Sequence, residues 1–256
     1  PSNGYLYVTN YYSNTVSVIN PASNSVISTI VIGCGPKEIV YDPTNGYLYV
    51  TNYYSNTVSV INPASNSVIA NIPVGSEPQG IAYDFANGYL YVVNHGSNTV
   101  SVIDPVNNSV ISTIEVGCGP QCITYDPKNG YLYVTNFYSN TVSVIDPASN
   151  SVIANISVRC GPYGIVYDPS NGYLYVTDYC SNSVSVIDPT SYSVIANIPV
   201  GSKPQGIAYD SANGYLYVVD YGSNNVSVID LTNNSVITTI EVECGPYLSL
   251  IHISEP

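Results

Sequence analysis

The chain is expected to be an all-β, six-bladed propeller with four antiparallel strands to a blade, and three observations carry that expectation. The line "YLYVTNYYSNTVSVINP", Tyr5 to Pro21, is spelled again from Tyr47 and returns in close variants from Tyr89, Tyr131, Tyr173 and Tyr215. Its "NGYLYV" start falls at Asn3, Asn45, Asn87, Asn129, Asn171 and Asn213, a spacing of 42 without insertion or deletion, the mark of stacked identical units. Each unit holds four short runs rich in β-branched and aromatic residues, with no helical period between them.

In the unit from Gly80 to Pro120 the runs are "GIAYD" (Gly80 to Asp84), "YLYVVN" (Tyr89 to Asn94), "TVSVID" (Thr99 to Asp104) and "SVISTIEV" (Ser109 to Val116). Turn chemistry separates them. "DPTNG" at Asp42 to Gly46 joins an Asx residue, a proline that presets φ and an Asn-Gly step that tolerates positive φ, so it closes a tight hairpin. "NPASN" at Asn20 to Asn24 does the same between the third and fourth runs, while "GCGP" at Gly33 to Pro36 suits a crossing between sheets. The runs are apolar on both sides, as in Val16, Val18 and Ile19, so each sheet must be covered on both faces. Neighbouring blades give that cover, and closing the ring leaves no bare end. A single domain over residues 1–256 is therefore expected. Its ring would close by pairing "LSLIHIS" (Leu248 to Ser254) with Tyr5 to Asn10.

Composition bounds the partners. Four Lys plus Arg against seventeen Asp plus Glu give a formal charge of -13, which repels phosphate backbones, so nucleic acid is excluded as a partner. No run approaches the roughly 18 apolar residues of a bilayer span, so no membrane insertion is expected. Only 8% of residues are charged, well below an ordinary domain, leaving Asn, Ser, Thr and tyrosine hydroxyls to wet the surface. The chain opens inside a repeat rather than in a signal peptide, in keeping with a part of a larger multidomain protein.

The string "YVTNYYSNTVSVINPASNSVI" resembles the YVTN-type β-propeller repeat of archaeal surface-layer proteins and related secreted propellers. The likeness runs from Pro1 to about Tyr247, with drift to "YVVN" at Tyr91 to Asn94, "YVVD" at Tyr217 to Asp220 and "YVTD" at Tyr175 to Asp178. It implies a secreted or cell-surface, non-catalytic structural or adhesive module whose partners are other surface proteins or glycans. Two alternatives stay open: a glycan- or peptide-binding propeller, and a lactonase-like propeller hydrolase, which some similar repeats support. The last nine residues, "LSLIHISEP" from Leu248, leave the template and resemble a translated sequencing adaptor, a non-native tail standing in as the last strand.

Candidate residues follow from where the repetition breaks. Lys37, Gln79, Gln121, Tyr163, Gln205 and Tyr247 share one repeat position at the expected channel mouth, and amides and aromatic rings there suit a sugar or peptide ligand. Nine of the eleven aspartates fall at turns, while Asp178 and Asp220 replace the Asn found at Asn10, Asn52, Asn94 and Asn136 and are expected to share its role. His95 and His252 are isolated and make no zinc, haem or triad constellation, so no metal, cofactor or catalytic residue is expected. Cys34, Cys118, Cys160 and Cys244 share one repeat position and read as unpaired thiols, interchangeable with Ser76 and Ser202. Cys160 with Cys180 is the pair placed to form a disulfide.

Overall fold

The computed structural model describes residues 1 and 3–246. All regular structure among them is antiparallel β, in six sheets whose strands follow chain order: one of three strands and five of four. In the second sheet the strands are Pro36–Tyr41, Leu48–Asn52, Thr57–Asn62 and Ser67–Pro73. The other four-stranded sheets repeat this plan, with inner strands at Pro78–Tyr83, Pro120–Asp126, Pro162–Tyr167 and Pro204–Asp210. This is the arrangement of propeller blades that the repeat predicts. The inner strands start about two residues earlier than the apolar runs suggest, because Pro78 pairs with Asn94 before the ladder is interrupted.

The repeated asparagines are explained by backbone and capping together. Asn14, Asn56, Asn98, Asn140, Asn182 and Asn224 all hold φ near +55°, between 53° and 57°, a region Asn tolerates better than other side-chain-bearing residues. The Oδ1 of each accepts the amide of a residue in the following crossover loop, as Asn140 does from Gly161 at 2.9 Å and Asn56 from Glu77 at 2.8 Å. The next sheet holds the same loop from its far side: Cys34 N donates to Ser55 Oγ at 2.7 Å. One "YSN" turn thus fastens two successive crossings.

The third and fourth letters of "YVTN" act between and within sheets. Thr9, Thr51, Thr135 and Thr177 donate their hydroxyls to inner-strand carbonyls at Lys37, Gln79, Tyr163 and Gln205 in the next sheet, at 2.6 to 2.8 Å. Asn52 donates through Nδ2 to Thr57 Oγ1 at 3.1 Å and Ser59 Oγ at 2.9 Å, tying its strand to the third. Asp178 takes this place as an acceptor, from Ser183 Oγ at 3.1 Å and Ser185 Oγ at 2.8 Å, as the shared role requires.

The core lies between the sheets. Tyr49, Val58, Val60 and Ile72 of the second sheet pack against Ile81, Leu90, Val92 and Ile103 of the third, and the same positions form the other four junctions from first sheet to sixth. Among the described residues no such cluster joins the sixth sheet to the first. Ile240 is 48% exposed where Ile198, its counterpart one blade earlier, is 1% exposed. The strand expected to close the ring, within 248–256, lies outside the described residues.

Candidate functional site

Each inner strand begins with a proline and then breaks register. In the second sheet Pro36 pairs with Asn52 and Ile39 with Val50, so Lys37 and Glu38 leave the ladder as a bulge. The same break lies between Pro78 and Ile81, Pro120 and Ile123, Pro162 and Ile165, and Pro204 and Ile207. A bulge re-aims side chains at a sheet edge, and here it does so where neighbouring inner strands converge. The first bulge residue belongs to the expected mouth position; the second is Glu38, Gly80, Cys122, Gly164 or Gly206.

At the first position the structure joins some of the expected residues and separates others. Gln79 Nε2 donates to Gln121 Oε1 at 2.8 Å. Gln121 Nε2 in turn lies 3.2 Å from His95 Nδ1. His95 Nδ1 also lies 3.2 Å from the Pro120 carbonyl, so it serves one partner at a time: it accepts from the amide in one tautomer and donates to the carbonyl in the other. His95 is therefore half-buried in the mouth network rather than an isolated exposed ring. Lys37 points elsewhere, its Nζ 4.6 Å from the Tyr11 ring centroid and 5.3 Å from that of Tyr53. Tyr163 joins an aromatic group, 6.4 Å from both Phe137 and Tyr179. Gln205 is 7% exposed, and its Oε1 is buried without a hydrogen-bond partner. Tyr247 lies outside the described residues.

The second position carries a residue the sequence reading passed over. Glu38 Oε2 accepts Ile81 N–H of the next inner strand at 3.0 Å, and Cys122 Sγ lies 3.9 Å from Oε1, two blades away. Glycine at 80 lets the inner strands of the third and fourth sheets lie this close: a Cβ there would stand 2.9 Å from Gln121 O and 3.1 Å from Cys122 Cα. The backbone below is held too, since Glu38 N donates to Thr51 Oγ1 at 3.1 Å. Glu38 as a residue is half-buried, with its carboxyl enclosed by protein. Desolvation raises its pKa to about 7, against the opposing pull of the Ile81 amide, the Cys122 thiol and Lys37. Cys122 is pushed the other way from reactivity, its thiol raised beyond the usual range by burial and by Glu38, so it serves Glu38 as a neutral donor. A signal for Glu38 did exist: in the 42-residue register it replaces glycine in three blades and cysteine in a fourth.

Cys180 N donates to Cys160 O at 3.1 Å, but both thiols are free, so the disulfide the sequence reading placed here is not formed in this structure.

No family model matches the sequence, and no curated protein does; the finer resemblance to the YVTN family gains nothing from them. Similarity to solved structures is extensive. It includes the hydrazine synthase of Kuenenia stuttgartiensis (TM-score 0.84, 21% identity, covering 95% of this chain and 85% of that one). It also includes the virginiamycin B lyase of Staphylococcus aureus (TM-score 0.82, 17% identity, 95% and 82%) and a functionally unknown protein from Desulfotomaculum acetoxidans DSM 771 (TM-score 0.82, 15% identity, 96% and 84%). At such identities the likeness is one of fold. It corrects the expectation of a non-catalytic structural or adhesive module all the same, since propellers of this shape include enzymes. Isolated histidines do not by themselves exclude catalysis, because an acid–base group needs no histidine constellation when burial brings a carboxyl near neutrality.

Proposed function

We propose that the chain is a propeller enzyme of the lactonase-like kind, opening a small ester or lactone by acid–base hydrolysis at the point where the inner strands converge. The observation that carries this reading is Glu38, a carboxyl held between Ile81 N–H and Cys122 Sγ with its pKa raised to about 7. Such a group is divided between both protonation states at neutral pH, as a general base and acid must be. As carboxylate, Glu38 takes a proton from water as the oxygen attacks the substrate carbonyl. The resulting carboxylic acid returns that proton to the departing alkoxide, and a hydroxy acid leaves. Lys37, whose Nζ lies over the Tyr11 and Tyr53 rings, contributes only the pull of its charge on Glu38. Gln205, whose buried Oε1 lacks a protein partner, is the acceptor for a substrate N–H or O–H. Tyr163, Tyr179 and Phe137 give the substrate an aromatic wall.

The test is turnover of a panel of γ-lactones and nitrophenyl esters followed in a pH-stat. Wild-type kcat/KM is expected to rise with pH through an apparent pKa near 7, and Glu38→Gln to lose at least about 100-fold with its fold intact by circular dichroism. A silent panel, or equal rates for Glu38→Gln, removes the proposal.

A further inference from the structure

We propose that Cys160 and Cys180 are a thiol–disulfide exchange site, whose oxidation fastens a crossover loop to the neighbouring hairpin turn and sets access to the aromatic side of the mouth. Cys160 lies in the crossing between strands Ser151–Ser157 and Pro162–Tyr167, and Cys180 in the turn between Leu174–Asp178 and Ser183–Asp188. Five equivalent junctions oppose a loop residue to a turn residue through the same amide-to-carbonyl bond. Their pairs are Cys34 with Tyr54, Ser76 with Gly96, Cys118 with Tyr138, Cys160 with Cys180, and Ser202 with Gly222. Only the fourth of these sets sulfur against sulfur.

The geometry suits a bridge. The Cys180 N to Cys160 O distance is 3.1 Å. Adding the covalent reach from each Cα to that bond, about 1.5 Å and about 2.4 Å, keeps the two Cα atoms within about 7 Å even when fully extended, inside the span of a disulfide. Both residues are exposed to a reagent, and burial first and the nearby Cys160 thiol next raise the pKa of the Cys180 thiol. The loop is anchored besides, by Cys160 N on Ser181 Oγ at 3.0 Å and Gly161 N on Asn140 Oδ1 at 2.9 Å, so little ordering remains to be done on closure. A Cβ at Gly161 would stand 2.9 Å from Cys180 Sγ and 3.2 Å from Phe137 Cε2. The bridge would therefore close directly beside the Phe137, Tyr163 and Tyr179 group.

The oxidant is a small-molecule disulfide. One cysteine thiolate attacks it, forming a mixed disulfide and releasing one small thiol. The second protein thiolate then attacks the protein sulfur and releases the other, so two electrons and two protons pass to the reagent. This inference rests on the loop geometry and stands apart from the catalytic reading.

The experiment exposes reduced protein to oxidised glutathione at pH 8 and maps chymotryptic peptides by mass spectrometry. A peptide pair joined through Cys160 and Cys180, lighter by two hydrogens and restored by dithiothreitol, is expected. A variant with Cys34, Cys118, Cys122 and Cys244 all changed to Ser should keep the link, and its thermal midpoint should rise by about 5 °C on oxidation. Cys160→Ser and Cys180→Ser should each lose the link and carry glutathione on the remaining partner. Separate glutathione adducts on both cysteines of the quadruple variant, or a link to any other cysteine in wild type, would overturn the assignment.

Discussion

At the scale of single residues, the chain's irregularities sort into those that cost stability and those that confer chemistry. Asp178 belongs to the first kind. It has no exposed surface and takes the place of an asparagine; burial raises its pKa to about 6, only partly offset by the Ser185 and Ser183 hydroxyls and by Arg159. The folded state therefore holds its proton more tightly than the unfolded chain, whose carboxyl keeps the ordinary 3.8. Stability should then fall as pH rises from about 4 through 6, because the ionised form is the one burial disfavours. Asp178→Asn is expected to raise stability by about 1–2 kcal/mol at pH 8 and by little at pH 4, measured by urea unfolding at the two values. An equal gain at both would show that shape rather than charge separates the two side chains. Glu38 belongs to the second kind, and it was legible only in part. Its departure from the 42-residue template is plain in the sequence. That it meets a thiol two blades away depends on the bulge and on the missing Cβ of Gly80, which no single strand's pattern encodes.

At the scale of elements, the repeat motif reads as a set of fastenings. Thr177 accepts Gly164 N at 2.8 Å in its own sheet and donates to Gln205 O at 2.7 Å in the next, so one buried hydroxyl sets the distance between two inner strands. Two blades do without it, carrying Val93 and Val219 at that place, which shows that the methyl-bearing isostere fits the space. Thr177→Val should therefore fold, lose about 1–2 kcal/mol in chemical denaturation, and loosen the backbone that presents Gln205. Faster amide exchange at Gly164 than in wild type would be its signature. Unchanged exchange and unchanged stability would mean that the hydroxyl is a passenger. Strand positions and turns were open to sequence reasoning because alternation and Asn-Gly chemistry are local. The threonine link was not, since its acceptor lies 28 residues away in another sheet.

At the scale of the whole molecule, stability comes from faces pressed together rather than from any one sheet, and the same residue type should matter very differently along the arc. Ile72, Ile114, Ile156 and Ile198 are between 1% and 3% exposed, each sealed by the following sheet, whereas Ile240 at the equivalent place is 48% exposed. Burying an isoleucine fully contributes about 2–3 kcal/mol, and its loss from a packed site adds the cost of a cavity. Ile198→Ala should therefore cost about 3 kcal/mol or more, and Ile240→Ala under about 1 kcal/mol, although the two side chains occupy the same place in a 42-residue repeat. Thermal or urea unfolding of the pair measures the difference. Similar losses at both sites would mean that the sixth sheet is covered in solution as fully as the others, and that the cover reaches the outer strand Ser235–Glu241. The repeat alone could not have told these two positions apart. Periodicity specifies what each face needs, while the packing of the assembled sheets decides which face receives it.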